Sequence, residues 1–241
     1  FGFNENSTLV ARNDVLEYEN RFPTGISCTI DNHAEEYTLK LDGVFGRNHI
    51  YAALAALALA HQLDIPSKDA VRALREYDAP PGRMKPVHGI SSSLILDDTY
   101  NASPLGVETA LELLARIKSA GKKIAVLGDM LELGKFTEEA HKSVGQKAAT
   151  STDVLIAVGK RSQSIVLGAK EAGMAEEKIF YFDTSREAGE YLKTIIRNGD
   201  IVLIKGSQGV RMERAVEAVM AHPGDKEKLL VRQEKEWKEK K

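Results

Sequence analysis

The chain has 241 residues, 43% of them hydrophobic and 28% charged, with a formal net charge of −2. That balance is ordinary for one large or two small globular domains. It supplies no overall electrostatic drive toward nucleic acid or an anionic membrane. The longest apolar run, Ile50 to Ala60, is too short to cross a bilayer, no signal peptide is visible, and the single Cys28 excludes an internal disulfide. The expected setting is the cytoplasm, with no stable membrane insertion and no nucleic-acid partner. The chain opens on Phe1-Gly-Phe rather than methionine, which reads as a cut within a longer polypeptide.

In chain order, residues 25–30 and 36–41 alternate apolar and polar, the mark of half-buried strands. Asp31-Asn32-His33 between them supplies turn chemistry, so a hairpin is predicted. Cys28 falls in that alternation and is expected to pack as a small hydrophobe. A helix from about Asn48 to Gln62 follows, then one from about Ser67 to Glu76 with Ser67 as N-cap. Ala79-Pro80-Pro81-Gly82-Arg83 then breaks all periodicity and is the best domain boundary in the chain.

Beyond it, short apolar strands (93–97, 123–127, 153–158, 178–182 and 201–204) alternate strictly with helices (near 104–120, 136–149, 161–172, 185–197 and 211–221). This is the grammar of a parallel sheet covered on both faces, an α/β doubly wound domain. Ser103-Pro104 is an N-cap with proline at the first helical position. Val107, Ala110, Leu111, Leu114 and Ile117 fall on one face of the helix that follows. The tail from Asp225 is charge-mixed and reads as a solvated or frayed helix.

In such sheets ligands bind at the carboxyl ends of the strands. Those ends are Asp97-Asp98, Gly128-Asp129, Gly159-Lys160, Asp183 and Lys205-Gly206-Ser207, and glycine at three of them would let a ligand approach the backbone. Alternation turns one of Asp97 and Asp98 inward and the other outward. One can accept from a sugar diol while the other holds the loop. Arg83 after the glycine could reach a phosphate with its fork of donors. Lys205-Gly-Ser207-Gln-Gly209 reads as an anion nest beside a cation. Asp129, Glu132 and His141 form a possible acid–base or metal set, although a lone helical histidine is more often packed. Neither G-x-x-x-x-G-K-[ST] nor G-x-G-x-x-G occurs anywhere in the chain.

"LDGVFGRNHIYAALAALALA", "PPGRMK", "LILDDTYNASPLGVETALELL", "KIAVLGDMLELG" and "DIVLIKGSQGVRME", in that order, resemble the Mur ligases, most of all their D-alanyl-D-alanine-adding branch. The likeness covers about residues 40–215. It implies three regions: 1–82, the latter part of a central ATP-binding α/β domain; 83–222, a Rossmann-like C-terminal domain; and 223–241, a charged tail. It also implies part of an ATP- and Mg²⁺-dependent peptide ligase of peptidoglycan precursor synthesis. Such an enzyme joins D-Ala-D-Ala to a UDP-N-acetylmuramoyl-peptide through an acyl phosphate, and is expected to be a monomer.

By position, the resemblance places Asn48 and His49 at the adenine and Asp98 on the ribose hydroxyls, supported by Asp97. Tyr100 and Asn101 would line the nucleotide face. Arg83 would act as a catalytic group on the phosphates, and Lys205 and Ser207 would lie near the acceptor, Lys205 with a catalytic role. No metal ligand is assigned within the chain, because the metal residues and the phosphate loop belong to a part of the family's architecture upstream of Phe1. This chain alone is therefore expected not to turn over. Asn48-His49 reverses the family's usual order, Ala52 replaces an asparagine, and Gln208 stands where arginine is usual. These departures keep open a second reading, a non-catalytic nucleotide- or partner-binding protein derived from such a ligase.

Overall fold

A computed structural model describes residues 1–20 and 22–239, and the chain divides into two compact units, Phe1–Ala79 and Pro80–Lys241. In the first, β1 (Val10–Glu19), β2 (Phe22–Asp31) and β3 (Glu36–Asp42) form an antiparallel sheet in that order. Alternation turns Ile26, Cys28, Ile30, Leu39 and Leu41 inward against Ile50, Ala53, Leu54 and Leu57 of α1 (Arg47–Gln62). The β2–β3 turn is closed by side chains, as its composition predicts: Asn32 Oδ1 accepts the Ala34 and Glu35 N–H groups, and Asp31 Oδ1 accepts that of His33. Burial pushes the Cys28 thiol up to about 12, the behaviour of an inert core residue.

Two caps differ from expectation. Gly46, at φ 96°, precedes α1 where an Asn48 start was expected. Pro66 precedes α2 (Ser67–Leu74), leaving Ser67 inside the first turn.

The second unit holds β4 (Lys85–His88), β5 (Leu94–Asp98), α3 (Pro104–Arg116), β6 (Lys123–Gly128), α4 (Thr137–Ser151) and β7 (Val154–Val158). It continues with α5 (Gln163–Glu171), β8 (Ile179–Phe182), α6 (Ser185–Ile195), β9 (Ile201–Lys205) and α7 (Glu213–Val219). The sheet order is β4-β5-β9-β6-β7-β8. The sheet is mixed rather than all parallel, because β4 joins the edge antiparallel to β5. Pro86 lies in that edge strand, where a missing N–H is tolerated.

Ala188 and Leu192 of α6 and Ala215, Val216 and Val219 of α7 share one cluster with Ile124, Val126, Ile156, Val158, Val202 and Ile204. The alternate strand residues Ala125, Leu127, Leu155, Ala157 and Leu203 are equally buried and face the other side. There α3 packs on α4 and α4 on α5. Ser103 caps α3 by accepting the Gly106 N–H, with Pro104 at the first position.

The tail is the main departure. After α7 come α8 (Lys226–Leu229) and α9 (Lys235–Lys238). Leu230 and Arg232 are buried at 3% and 7% exposure, so this segment is docked rather than solvated.

Candidate functional site

β5 and β9 are neighbouring parallel strands that send their helices to opposite faces, as β9 and β6, and β7 and β8, also do. β5 leads into α3 on one side, and β9, hydrogen-bonded beside it, leads into α7 on the other. Loops diverge at such a switch point and leave a crevice at the strand ends. In register there, Asp98 ends β5 opposite Lys205, which ends β9. Lys205 Nζ donates to Asp98 Oδ2 at 2.6 Å and to the Asn101 carbonyl at 2.9 Å. Asp98 Oδ1 also accepts the Met84 N–H at 3.2 Å.

Asp97 turns inward and is fully buried. Its Oδ1 accepts both the Thr99 N–H and the Thr99 hydroxyl, and its Oδ2 has no hydrogen-bond partner among the described residues. Burial, reinforced by the Asp98 charge and offset by the Thr99 bonds, pushes its carboxyl up to about 6. The two adjacent carboxylates thus divide the work: Asp97 holds the loop and Asp98 is presented at the edge.

Tyr100 and Asn101 follow on the exposed side. The Tyr100 N–H donates to the Gly82 carbonyl at 3.0 Å, and the Arg83 guanidinium stacks over the Tyr100 ring at 3.9 Å. Gly82 sits at φ +68°, where a Cβ would fall 2.9 Å from Tyr100 N and 2.8 Å from Val231 Cγ1; only glycine fits there. Asp98, Tyr100, Asn101, Arg83 and Lys205 are therefore one local group, joined by residues 82–84.

Other expectations resolve differently. Ser207 is 3% exposed. Its Oγ accepts the Leu131 N–H and donates to the Ala102 carbonyl, and its N–H reaches Asp129 O. It stitches three edge loops together and has no donor left for an acceptor. The anion nest is corrected as well, since the Lys205 charge is spent on Asp98. The edge glycines admit protein rather than ligand: Met212 fills the space at Gly128 and Gly206, and Asp129 fills it at Gly159.

Asp129 Oδ1 accepts the Ser162 N–H. His141 is buried, with Nε2 accepting the Met130 N–H and Nδ1 donating to the Thr137 carbonyl. Burial lowers its pKa, so it is a neutral structural imidazole. Among the described residues no three His, Cys, Asp or Glu side chains converge as a metal site, which removes the metal reading of the Asp129–Glu132–His141 set. In the first unit, Asn48 is exposed, whereas His49 is buried with Nδ1 2.9 Å from the Tyr77 hydroxyl. Of that pair, only Asn48 presents its side chain to solvent.

Sequence reasoning missed Arg232. Its guanidinium lies under the Asp98–Asn101 loop and donates to the Thr99 carbonyl at 2.9 Å and the Tyr100 carbonyl at 2.5 Å. An arginine in a run of charges carries no signal of burial.

The fold and this edge define an α/β domain with charged and aromatic side chains gathered at the carboxyl ends of β5 and β9, the place where open α/β sheets bind ligands. A family model described as "Mur ligase, glutamate ligase domain" matches residues 82–208, more than half of the chain, and the chain belongs to the Mur ligase family. It is 33% identical over 208 residues to the UDP-N-acetylmuramoyl-tripeptide–D-alanyl-D-alanine ligase of Escherichia coli, covering 81% of this chain and 44% of that protein. The ligase of the same name from Bacillus subtilis is 29% identical over 181 residues, 75% and 39% of the two chains. Among solved structures, the MurF ligase from Thermotoga maritima in complex with ADP superposes with a TM-score of 0.74 at 27% identity, covering 89% of this chain and 46% of that one. The chain thus spans less than half the length of these three relatives. No described helix is long and apolar enough to cross a membrane.

Proposed function

We propose that this chain is the part of an ATP-dependent peptide ligase that presents Asp98, Tyr100, Asn101 and Arg83 to the nucleotide. In this reading the whole enzyme joins D-Ala-D-Ala to a UDP-N-acetylmuramoyl-peptide in the cytoplasm. Phe1–Ala79 then corresponds to the latter part of the family's central domain. The observation that carries the proposal is the exposed Arg83–Tyr100 stack beside Asp98 at the switch point, within the segment the family model matches.

The residues present fit a nucleotide. Asp98 keeps lone pairs able to accept from ribose hydroxyls, a charge-assisted bond worth roughly 1.5–3 kcal/mol. Tyr100 offers a half-exposed aromatic face. Arg83 brings a fork of donors suited to phosphate oxygens, where charge develops during transfer. Lys205 holds Asp98 in place, which makes it a positioning group for the nucleotide rather than a direct contact with the acceptor. ATP, when bound, supplies the phosphoryl group that activates the peptide carboxylate. Magnesium is assigned no ligand among the described residues.

The test uses the complete reading frame that encodes this chain, in a coupled phosphate-release assay. Release requiring ATP, UDP-N-acetylmuramoyl-tripeptide and D-Ala-D-Ala together supports the proposal. Release indifferent to D-Ala-D-Ala overturns it. No release with all three, alongside retained ADP binding, favours the non-catalytic nucleotide-binding reading.

A further inference from the structure

The docked tail reaches the candidate site through Val231 beside Gly82 and, by hydrogen bonds, through Arg232. Arg232 is buried, yet its charge is not needed to neutralise Glu213, because Arg211 Nε already donates to Glu213 Oε1 at 2.5 Å. Arg232 keeps a longer contact to Glu213 Oε2, 3.3 Å, and uses its shorter bonds on the Thr99 and Tyr100 carbonyls. A guanidinium is a rigid planar fork, so two such bonds fix the orientation of two successive peptide groups.

Tyr100 is thus held on both sides of its backbone, the N–H by Gly82 and the carbonyl by Arg232. Its ring carries Arg83 at 3.9 Å and has the Arg232 guanidinium carbon 6.0 Å from its centroid. The ladder continues through Trp237, whose ring centroid lies 5.5 Å from Arg232 and 5.4 Å from Arg211, while Arg211 Nη1 donates to the Trp237 carbonyl at 2.6 Å. Arg83, Tyr100, Arg232, Trp237 and Arg211 therefore form a continuous stack of cations and rings from the Pro-Pro-Gly segment to the start of α7. Val231 fills the space beside Gly82, and Leu230 anchors the tail in the core cluster behind the sheet.

We infer that Arg232 is a positioning residue: the C-terminal segment 230–237 is a strap whose arginine sets the backbone of Thr99 and Tyr100, and so fixes Asp98 and Tyr100 for the nucleotide. The inference rests on the nucleotide reading above for its functional half. Its structural half stands on the hydrogen bonds alone. The two halves are tested separately.

In the 241-residue chain, backbone amide hydrogen exchange is followed for Arg232→Gln and for Arg232→Lys, which keeps the charge near Glu213 but loses the fork. Exchange at Thr99 and Tyr100 is expected to accelerate about tenfold or more in the glutamine variant and by an intermediate amount in the lysine variant, with β6 and β9 amides unchanged. In the complete ligase, the same substitutions are expected to raise the KM for ATP roughly tenfold while the KM for D-Ala-D-Ala stays within about twofold.

Unchanged exchange at Thr99 and Tyr100 in both variants overturns the strap. Faster exchange with an unchanged KM for ATP overturns the positioning role. Equal increases in both KM values mean a general structural role and overturn it too. If the glutamine variant does not fold, the lysine variant decides on the same criteria. A wild-type ligase that does not use ATP overturns the nucleotide reading itself, and the exchange result still decides whether Arg232 orders the loop.

Discussion

Lys205 Nζ and Asp98 Oδ2 lie 2.6 Å apart across two strands whose paired residues are 107 positions apart in sequence, both side chains largely withdrawn from water. Removing one partner of such a pair leaves a poorly solvated charge, at a cost of about 3–5 kcal/mol. Lys205→Met is therefore expected to lower the urea midpoint sharply, and the double variant Asp98→Asn/Lys205→Met to recover at least half of that loss. Strictly additive losses would show that the two groups are not coupled.

If Asp98 receives the ribose, Asp98→Asn in the complete ligase should raise the KM for ATP about tenfold more than that for D-Ala-D-Ala. Steady-state kinetics with each substrate varied in turn give the comparison. Equal changes would remove the ribose assignment.

Arg83 stacks on Tyr100 in solvent, an arrangement worth only ~0.5–1 kcal/mol to stability. Loss of this stack alone in Arg83→Ala is accordingly expected to cost little stability. If the guanidinium contacts the transferring phosphate, kcat should nevertheless fall by about tenfold to a thousandfold. An unchanged kcat would make Arg83 a surface residue.

Asp97 gives the stability a distinct pH dependence. Its folded carboxyl titrates at about 6 against about 3.9 in an unfolded chain. Between these values the folded state holds more protons, so the Asp97 contribution falls as pH rises through that window, and its full cost is present above pH 6. A difference of that size corresponds to roughly 3 kcal/mol. Asp98, Thr99 and the more distant Arg232 charge surround the group. His141 acts in the opposite sense: its folded pKa is lowered, so its contribution is lost as pH falls below the unfolded value. The difference between wild type and Asp97→Asn isolates the first effect. Chemical denaturation at several pH values should show wild type losing stability relative to the variant between about pH 4 and 6. A constant difference would mean that Asp97 is ionised throughout.

The strand–helix alternation after residue 93 was legible because parallel strands buried on both faces are apolar throughout; the Asp97-Asp98 pair and Arg83 could be marked from their places at strand and segment ends, whereas Tyr100, Asn101 and the choice of Asp98 came only from the family resemblance. What escaped has physical causes. β1 breaks its own alternation, with Asn13 at φ 52° and a register shift between Arg12 and Val15. β4 has four residues and contains Pro86, which local pattern reads as loop. The partnership of Asp98 with Lys205 depends on β9 inserting between β5 and β6, an ordering that no short window of sequence encodes. The glycines at the strand ends suggest a ligand approaching the backbone, but Met212 and Asp129 fill that space instead.

Trp237 is the only tryptophan in the chain, and it sits on the strap between two guanidinium groups. Its emission therefore reports a single environment, with no second indole to blur it. Release of the tail would expose that ring to water and shift the spectrum to the red, giving an optical signal of strap docking that needs no added label.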